Sequence, residues 1–234
     1  MPNRLLTLVL VCTLGCPRAE VRRTPPDHPD VSWPLPVATR ERITGASWRP
    51  GCPVPREELA LVRVRHLGLD GVEKAGELVV HVEVAVEVAE AFAEMLRARF
   101  PVEQVRLIED FDASDDRSME HNNTSAFMCR PNTTRPGQWS KHSYGRAVDI
   151  NPRLNPYSNP RPVRVDATGA WGPDDKPTRV LPPVALTFLD RRVLQPGMIT
   201  EGDACHRAFT QRGWTWGGSW KDRVDYQHFE KPPR

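Results

Sequence analysis

Two histidines and two aspartates in the second half of the chain have the residue types and spacing of a metal site with a base beside it. The stretch SKHSYGRAVDINP, residues 140–152, contains His142 and Asp149, and DYQHFE near the carboxyl end contains Asp225 and His228. Zinc enzymes commonly hold the ion with three histidine or carboxylate ligands and keep a fourth position for water. A further carboxylate can take a proton from such a water and pass it to a leaving amine. We therefore predict His142, Asp149 and His228 as metal ligands and Asp225 as the general base.

Two adjacent strands would position these side chains. The residues around Asp149 alternate between apolar and polar, which is typical of a half-buried strand, and a second strand is predicted over residues 226–230. Such strands can present Asp149 and His228 on one face, while His142 reaches in from a loop that Gly145 allows to turn tightly. Spacing alone leaves the alternative of ordinary structural histidines open, because a chain with 7 histidines contains accidental His/Asp pairs.

The remaining pattern indicates one folded domain over residues 57–234. We predict strands over residues 77–82, 105–111, 127–130 and 226–230 and helices over residues 84–99 and 203–212. Residues 152–184 are rich in proline, asparagine and aspartate and form a long excursion that has room for a hairpin. This order predicts a single compact α+β domain, mainly an antiparallel sheet with flanking helices.

The amino terminus has the pattern of an export signal. A short basic start precedes an apolar run at residues 5–14, which is too short for the roughly 20 residues that span a bilayer but is typical of a secretory signal. The sequence TLGC, ending at Cys16, resembles a bacterial lipoprotein signal, in which the cysteine becomes the lipidated first residue. Cleavage after Ala19 is the alternative, but it places Pro17 where a small residue is expected. We favour a lipoprotein signal over residues 1–16 and an exported protein of the cell envelope or periplasm, anchored to the membrane.

The segment after the predicted signal and the cysteines that remain in the exported protein lead to two further predictions. Residues 17–56 hold many of the 24 prolines and little apolar periodicity, so we predict a semi-rigid proline-rich linker. Beyond the signal the chain keeps Cys52, Cys129 and Cys205. Three cysteines allow one internal disulfide and one spare thiol, and the sequence leaves the pairing open.

The overall composition is that of an ordinary globular protein, with 39% hydrophobic and 26% charged residues. The net charge of +2 gives no reason to expect a nucleic acid as a partner. We expect a monomer.

The motifs together resemble those of the zinc D-alanyl-D-alanine carboxypeptidase and L-alanyl-D-glutamate endopeptidase family. That family has the signature S-x-H-x-x-G-x-A-x-D and, near the carboxyl end, an acidic residue three positions before a histidine. Both signatures are complete here, in Ser140, His142, Gly145, Ala147, Asp149, Asp225 and His228. The blocks SMEHNNTSAFMCR, DINPRLNPY and GWTWGGSW resemble the phage-endolysin-like branch, and the resemblance covers roughly residues 77–230.

The resemblance implies a fold, a cofactor and a reaction. The fold would be the compact α+β fold that these peptidases share with the hedgehog signalling domain, the cofactor would be Zn²⁺, and the substrates would be the stem peptides of peptidoglycan. Arg130 stands where the family has an arginine that stabilises the oxyanion, a task that suits a charged planar guanidinium. Ser140 is expected to orient the loop or the His142 ring and not to act as a nucleophile.

Other residues have two open interpretations. Asn123, Thr124 and Ser125 either line the substrate groove or make turn hydrogen bonds. For Trp214, Trp216 and Trp220 core packing is favoured over an aromatic wall beside the cleft. His81 is expected to be a core histidine, and Glu230 either orients His228 or faces solvent.

Two functions of other classes compete with the peptidase. One is a peptidoglycan-binding lipoprotein that keeps the fold without catalysis, although a binder has no use for a general base. The other is a structural zinc domain, which would need a fourth protein ligand. The motifs do not separate a carboxypeptidase that removes terminal D-alanine from an endopeptidase that cuts between L-alanine and D-glutamate.

Overall fold

The computed structural model describes residues 26–133, 135–160 and 179–232. The predicted signal over residues 1–16 and the first part of the predicted linker lie outside these residues. Within the described ranges, no helix combines the length and the apolar character that a membrane crossing requires.

The described residues form short helices and strands joined by long loops. The helices are α1 (Val37–Ile43), α2 (Ala85–Arg97), α3 (Asp115–Glu120) and α4 (Ala204–Thr210). The first strands are β1 (Val31–Ser32), β2 (Leu59–Leu67), β3 (Glu73–His81), β4 (Gln104–Val105), β5 (Asn123–Thr124) and β6 (Ala147–Asp149). They are followed by β7 (Tyr157–Asn159), β8 (Arg179–Leu181), β9 (Thr215–Trp216), β10 (Val224–Asp225) and β11 (His228–Glu230).

The strands form several small sheets. β2 pairs with β1 and β3, β11 lies between β6 and β9, and β7 lies between β10 and β8, all antiparallel. Only the β4–β5 pair is parallel among the described strands. The α+β class and the mainly antiparallel pairing are as predicted, although the strands are divided among several sheets.

The main core lies between helix α2 and the β2–β3 hairpin. The buried α2 residues recur at helical spacing and include Val88, Phe92 and Met95. The core continues to the carboxyl end of the chain, where Phe229 of β11 stacks on Phe209 of α4 with ring centroids 4.6 Å apart. Successive residues of a strand point to opposite faces, so burial of Phe229 turns His228 towards the other side of the sheet.

Several sequence predictions of local structure are confirmed. The strand predicted over residues 77–82 is part of β3, and the helix over residues 84–99 is α2. The helix over residues 203–212 is α4, and the Asp203 side chain accepts the His206 N–H at 2.8 Å as its cap. The hairpin expected in residues 152–184 is consistent with the antiparallel β7–β8 pair, and its residues 161–178 lie outside the described chain.

Two predicted strands are wrong. Residues 105–111 contribute only the end of β4 and then a 3₁₀ turn, Ile108–Phe111, because the partner strand β5 has only 2 residues to pair with. Residues 127–130 form no strand, because their backbone N–H groups bond to separate segments. The N–H of Phe127 donates to Val79, that of Cys129 donates to Ser47, and that of Arg130 donates to a serine side chain.

The second part of the predicted linker is folded. β1 pairs with β2, and Leu35, Ile43 and Val54 pack with residues of β2 and β3 in a second buried cluster. The prolines stand at element boundaries, such as Pro36 immediately before α1. Proline is compatible with these positions, and the apolar residues lack a regular period, so the segment has the sequence pattern of a linker although it is part of the domain.

A disulfide between Cys52 and Cys129 joins this segment to the residue before Arg130, and the thiol of Cys205 is free and buried.

The disulfide joins residues 77 positions apart, so reduction should lower the free energy of unfolding by about 2–4 kcal/mol. Urea unfolding with and without dithiothreitol measures this change. The double variant Cys52→Ser/Cys129→Ser should not respond to dithiothreitol, and equal midpoints for the oxidised and reduced wild type would contradict the prediction.

Candidate metal centre

The β6–β11 pair places Asp149 directly opposite His228. Opposed residues of an antiparallel pair point to the same face, so the carboxylate meets the imidazole. His142 comes from the 3₁₀ turn Lys141–Tyr144 just before β6, where the Ser140 hydroxyl accepts the His142 N–H at 3.3 Å. Gly145 ends this turn with φ +63°, and a Cβ there would lie 2.4 Å from the backbone nitrogen of His81, so only glycine fits.

The three predicted ligand side chains converge. The Nδ1 atom of His228 lies 2.9 Å from Oδ1 of Asp149, and Nε2 of His142 lies 3.2 Å from Oδ2. The two ring nitrogens are 3.3 Å apart. Tetrahedral ligands that are each about 2.1 Å from zinc are separated by roughly 3.4 Å, so the donor set fits this ion with a modest expansion. Within the described chain this is the one cluster of at least three such side chains that could hold a metal.

Each ring is fixed through its other nitrogen. Nδ1 of His142 lies 2.5 Å from the carbonyl oxygen of Ala126, and Nε2 of His228 lies 3.0 Å from the Glu230 carboxylate. Such partners set the tautomer and the orientation of metal-binding histidines. Of the two interpretations of Glu230, the structure supports orientation of His228.

The electrostatics of the cluster favour a positive charge at its centre. Burial alone would raise the pKa of the Asp149 carboxyl, but the charges and hydrogen bonds of His142 and His228 hold it well below its usual range. Burial would lower the pKa of His228, yet its hydrogen bonds to Asp149 and Glu230 and the nearby negative charges raise it to about 10. A bound cation would take the place of the proton that these carboxylates stabilise.

Asp225 lies in β10 beside the cluster and lines the same cavity. Burial raises the pKa of its carboxyl, the negative charge of Asp149 adds to this effect, and His228 and Gln227 act in the opposite direction. The result is a pKa of about 7. A carboxyl that titrates near neutral pH can both accept and return a proton, as a general base that becomes a general acid must.

Arg130 lines the cavity from the segment that follows the disulfide. Its Nε pairs with the carboxylate of Asp115 in the first turn of α3. Its backbone N–H donates to the Ser143 hydroxyl at 2.8 Å, and that hydroxyl lies 2.7 Å from the Arg130 carbonyl oxygen. Because Ser143 follows His142 directly, the hydroxyl links the arginine segment to the histidine turn. Neither Asp115 nor Ser143 could be identified from the sequence, because their partners are distant in the chain.

The cavity has a volume of about 870 Å³ and carries both charges on its walls. Besides Arg130, its cationic residues include Arg135, Lys141, Lys221 and Arg223. A cleft of this size with polar and charged walls can take an extended peptide that bears carboxylates.

The tryptophans divide between core and cleft. Trp214 and Trp216 are buried in the main core, as favoured from the sequence. Trp220 instead lines the cavity, and its ring centroid lies 5.5 Å from that of His228. His81 is buried with Nε2 3.2 Å from the Glu58 carboxylate, so it is a core histidine with a hydrogen-bond partner.

Asn123, Thr124 and Ser125 make hydrogen bonds that support the site from behind. The Asn123 amide donates to the carbonyl of Arg106, and the Thr124 hydroxyl accepts the backbone N–H of Asn151. Ser125 and Asp149 exchange two backbone hydrogen bonds, of 2.9 and 3.1 Å. None of the three residues is among those that line the described cavity.

Comparison with known proteins agrees with these motifs. Residues 133–231 match a family model described as D-alanyl-D-alanine carboxypeptidase. The matched range includes the three candidate ligands and Asp225, and it begins after Arg130. No match is found among curated proteins or among solved structures. The match supports the resemblance predicted from the sequence: residues 133–231 are similar to the D-alanyl-D-alanine carboxypeptidase family of peptidases.

Proposed function

We propose that this protein is a zinc peptidase that hydrolyses the stem peptides of peptidoglycan. One observation carries the proposal: His142, Asp149 and His228 bring two ring nitrogens and a carboxylate together at the wall of a polar cavity that Asp225 also lines. The family match supports a hydrolase that acts on peptidoglycan-derived peptides.

The donor set suits zinc in a catalytic site. Two imidazole nitrogens and one carboxylate leave a coordination position for water or substrate, and the ring partners Ala126 and Glu230 provide the outer hydrogen bonds that such sites use. When bound, zinc polarises a carbonyl and lowers the pKa of a bound water.

The residues of the chain then have separate roles. Asp225 takes a proton from the attacking water and gives it to the amine that leaves, a role for which its position in the cavity wall beside the candidate ligands is suited. Arg130 also lines this cavity and stabilises the negative charge that develops on the carbonyl oxygen. The cationic residues of the cavity attract the carboxylates of the stem peptide.

The site of action belongs to the proposal as well. We propose that residues 1–16 are a lipoprotein signal, that Cys16 carries the lipid, and that the domain acts in the cell envelope with the fold of the hedgehog and D-alanyl-D-alanine peptidase group. The Cys52–Cys129 disulfide supports export, because disulfides persist mainly in oxidising compartments.

Mass spectrometry of digested muropeptides would identify the bond that is cut, whether before a terminal D-alanine or between L-alanine and D-glutamate.

The metal content tests the first half of the proposal. The purified protein should hold one zinc ion, and a chelator should abolish hydrolysis of muropeptides until zinc is added back. His142→Ala should lose the ion because one of the three ligands is missing. His121→Ala, at an exposed histidine outside the cluster, should keep it. A wild type that binds no zinc, or a His142→Ala variant that binds it as tightly as the wild type, would contradict the proposal.

The role of Asp225 is tested by removing its charge. Asp225→Asn should lower kcat by about 10²- to 10⁴-fold while zinc stays bound, because the amide cannot accept the proton. Asp116→Asn removes a carboxylate from an exposed position of α3 and should leave kcat unchanged. Hydrolysis of purified muropeptides, followed by chromatography, gives the rates. An Asp225→Asn enzyme with the wild-type rate would show that another group activates the water.

A further inference from the structure

Buried polar atoms without a partner concentrate around the cleft. In the described chain, six residues have such an atom: Arg56, Glu109, Arg130, Tyr157, Asp225 and Gln227. The last four line the cavity. Most buried polar groups in proteins are hydrogen-bonded, so each exception calls for an explanation. For Arg130 the explanation is its ion pair with Asp115. No contact described so far explains the buried hydroxyl of Tyr157.

Tyr157 is the cross-strand neighbour of Asp225. The β7–β10 pair aligns the two residues directly, so their side chains point to the same face with Cβ atoms about 4.5–5.5 Å apart. Both residues line the cavity. The phenolic oxygen of Tyr157 and Oδ1 of Asp225 are both buried, and neither has a hydrogen-bond partner among the described residues.

The surroundings keep the phenol protonated and therefore able to donate. Burial raises the pKa of Tyr157, the negative charge of Asp225 raises it further, and the charges of Arg179 and Arg223 act in the opposite direction. The Asn159 side chain lies close to the phenol oxygen and also lowers this pKa. Two directly paired residues thus each have a buried oxygen without a hydrogen-bond partner: the Tyr157 hydroxyl, which can donate, and Oδ1 of Asp225, which can accept.

We infer that Tyr157 is a positioning residue for Asp225: its hydroxyl donates to one carboxylate oxygen in the substrate complex and leaves the other oxygen to face the reacting water. Hydrogen bonds of catalytic groups are often long or misaligned before substrate binds and tighten afterwards. The inference rests on the proposed function, since it assigns a role only if Asp225 acts on water during peptide hydrolysis.

This role predicts opposite effects on stability and on rate. An unpaired buried hydroxyl does not stabilise the fold, so Tyr157→Phe should unfold at the same temperature as the wild type or at a higher one. The same change removes a hydrogen bond to a charged group from the reacting complex, so kcat should fall about 10- to 100-fold. KM and the zinc content should not change, because the phenol binds neither the ion nor the bulk of the peptide.

A double-mutant cycle tests whether Tyr157 acts through Asp225. In the Asp225→Asn background, adding Tyr157→Phe should have little further effect on kcat, since the carboxylate that the phenol orients is gone. Tyr226→Phe is the matched control, because it removes a phenolic hydroxyl from a residue that packs on Trp216 and Arg191 and does not line the described cavity. It should keep the wild-type kcat.

Each outcome separates the inference from the proposed function. An active wild type whose Tyr157→Phe variant keeps its kcat overturns the inference alone. A large drop in unfolding temperature for Tyr157→Phe, or equal losses of kcat in both backgrounds, also overturns it, because the phenol would then be structural or would act independently. A zinc-loaded wild type that cleaves no stem peptide overturns the proposed function and the inference with it.

Discussion

The site depends on the Asp149 carboxylate, which lies between two imidazoles. The antiparallel register of β6 and β11 sets Asp149 opposite His228. A slip by one residue would turn one of these side chains to the opposite face and place it in the core. The register is secured by burial of the alternate residues, Val148 and Phe229, which are fully buried and directly paired. Packing of the core therefore determines the relative positions of the candidate ligands Asp149 and His228.

The rest of the fold holds the other groups around this pair. His142 depends on the turn that Ser140 caps and Gly145 ends, close against the backbone of β3. Behind β6, the buried Asn151 amide donates to the carbonyls of Pro101 and Gly197 and accepts a backbone N–H, which anchors the chain just after the ligand. Arg130 follows a disulfide cysteine. Each group of the site is thus held by contacts that join distant parts of the chain.

Local motifs in the sequence predicted which side chains converge, whereas much of the scaffold that holds them was not predicted. Helix α2 has a regular apolar period, and the motifs around His142 and His228 are local, so both were visible in the sequence. The folded segment that contains α1 was not, because its apolar residues are irregular and its burial depends on β2, β3 and a disulfide. The same holds for Asp115 and for the role that we infer for Tyr157, because both residues pair with positions distant in the chain. Local patterns identify candidate ligands, whereas the residues that support them can be identified only from tertiary contacts.

We propose above all that one zinc ion is bound by His142, Asp149 and His228 with a position left for water. The most direct test is a crystal structure of the full-length protein with anomalous data on both sides of the zinc absorption edge. We expect a single peak bonded to Nε2 of His142, a carboxylate oxygen of Asp149 and Nδ1 of His228, with a solvent molecule as the fourth ligand. A peak elsewhere, or a fourth ligand from the protein in place of solvent, would contradict it.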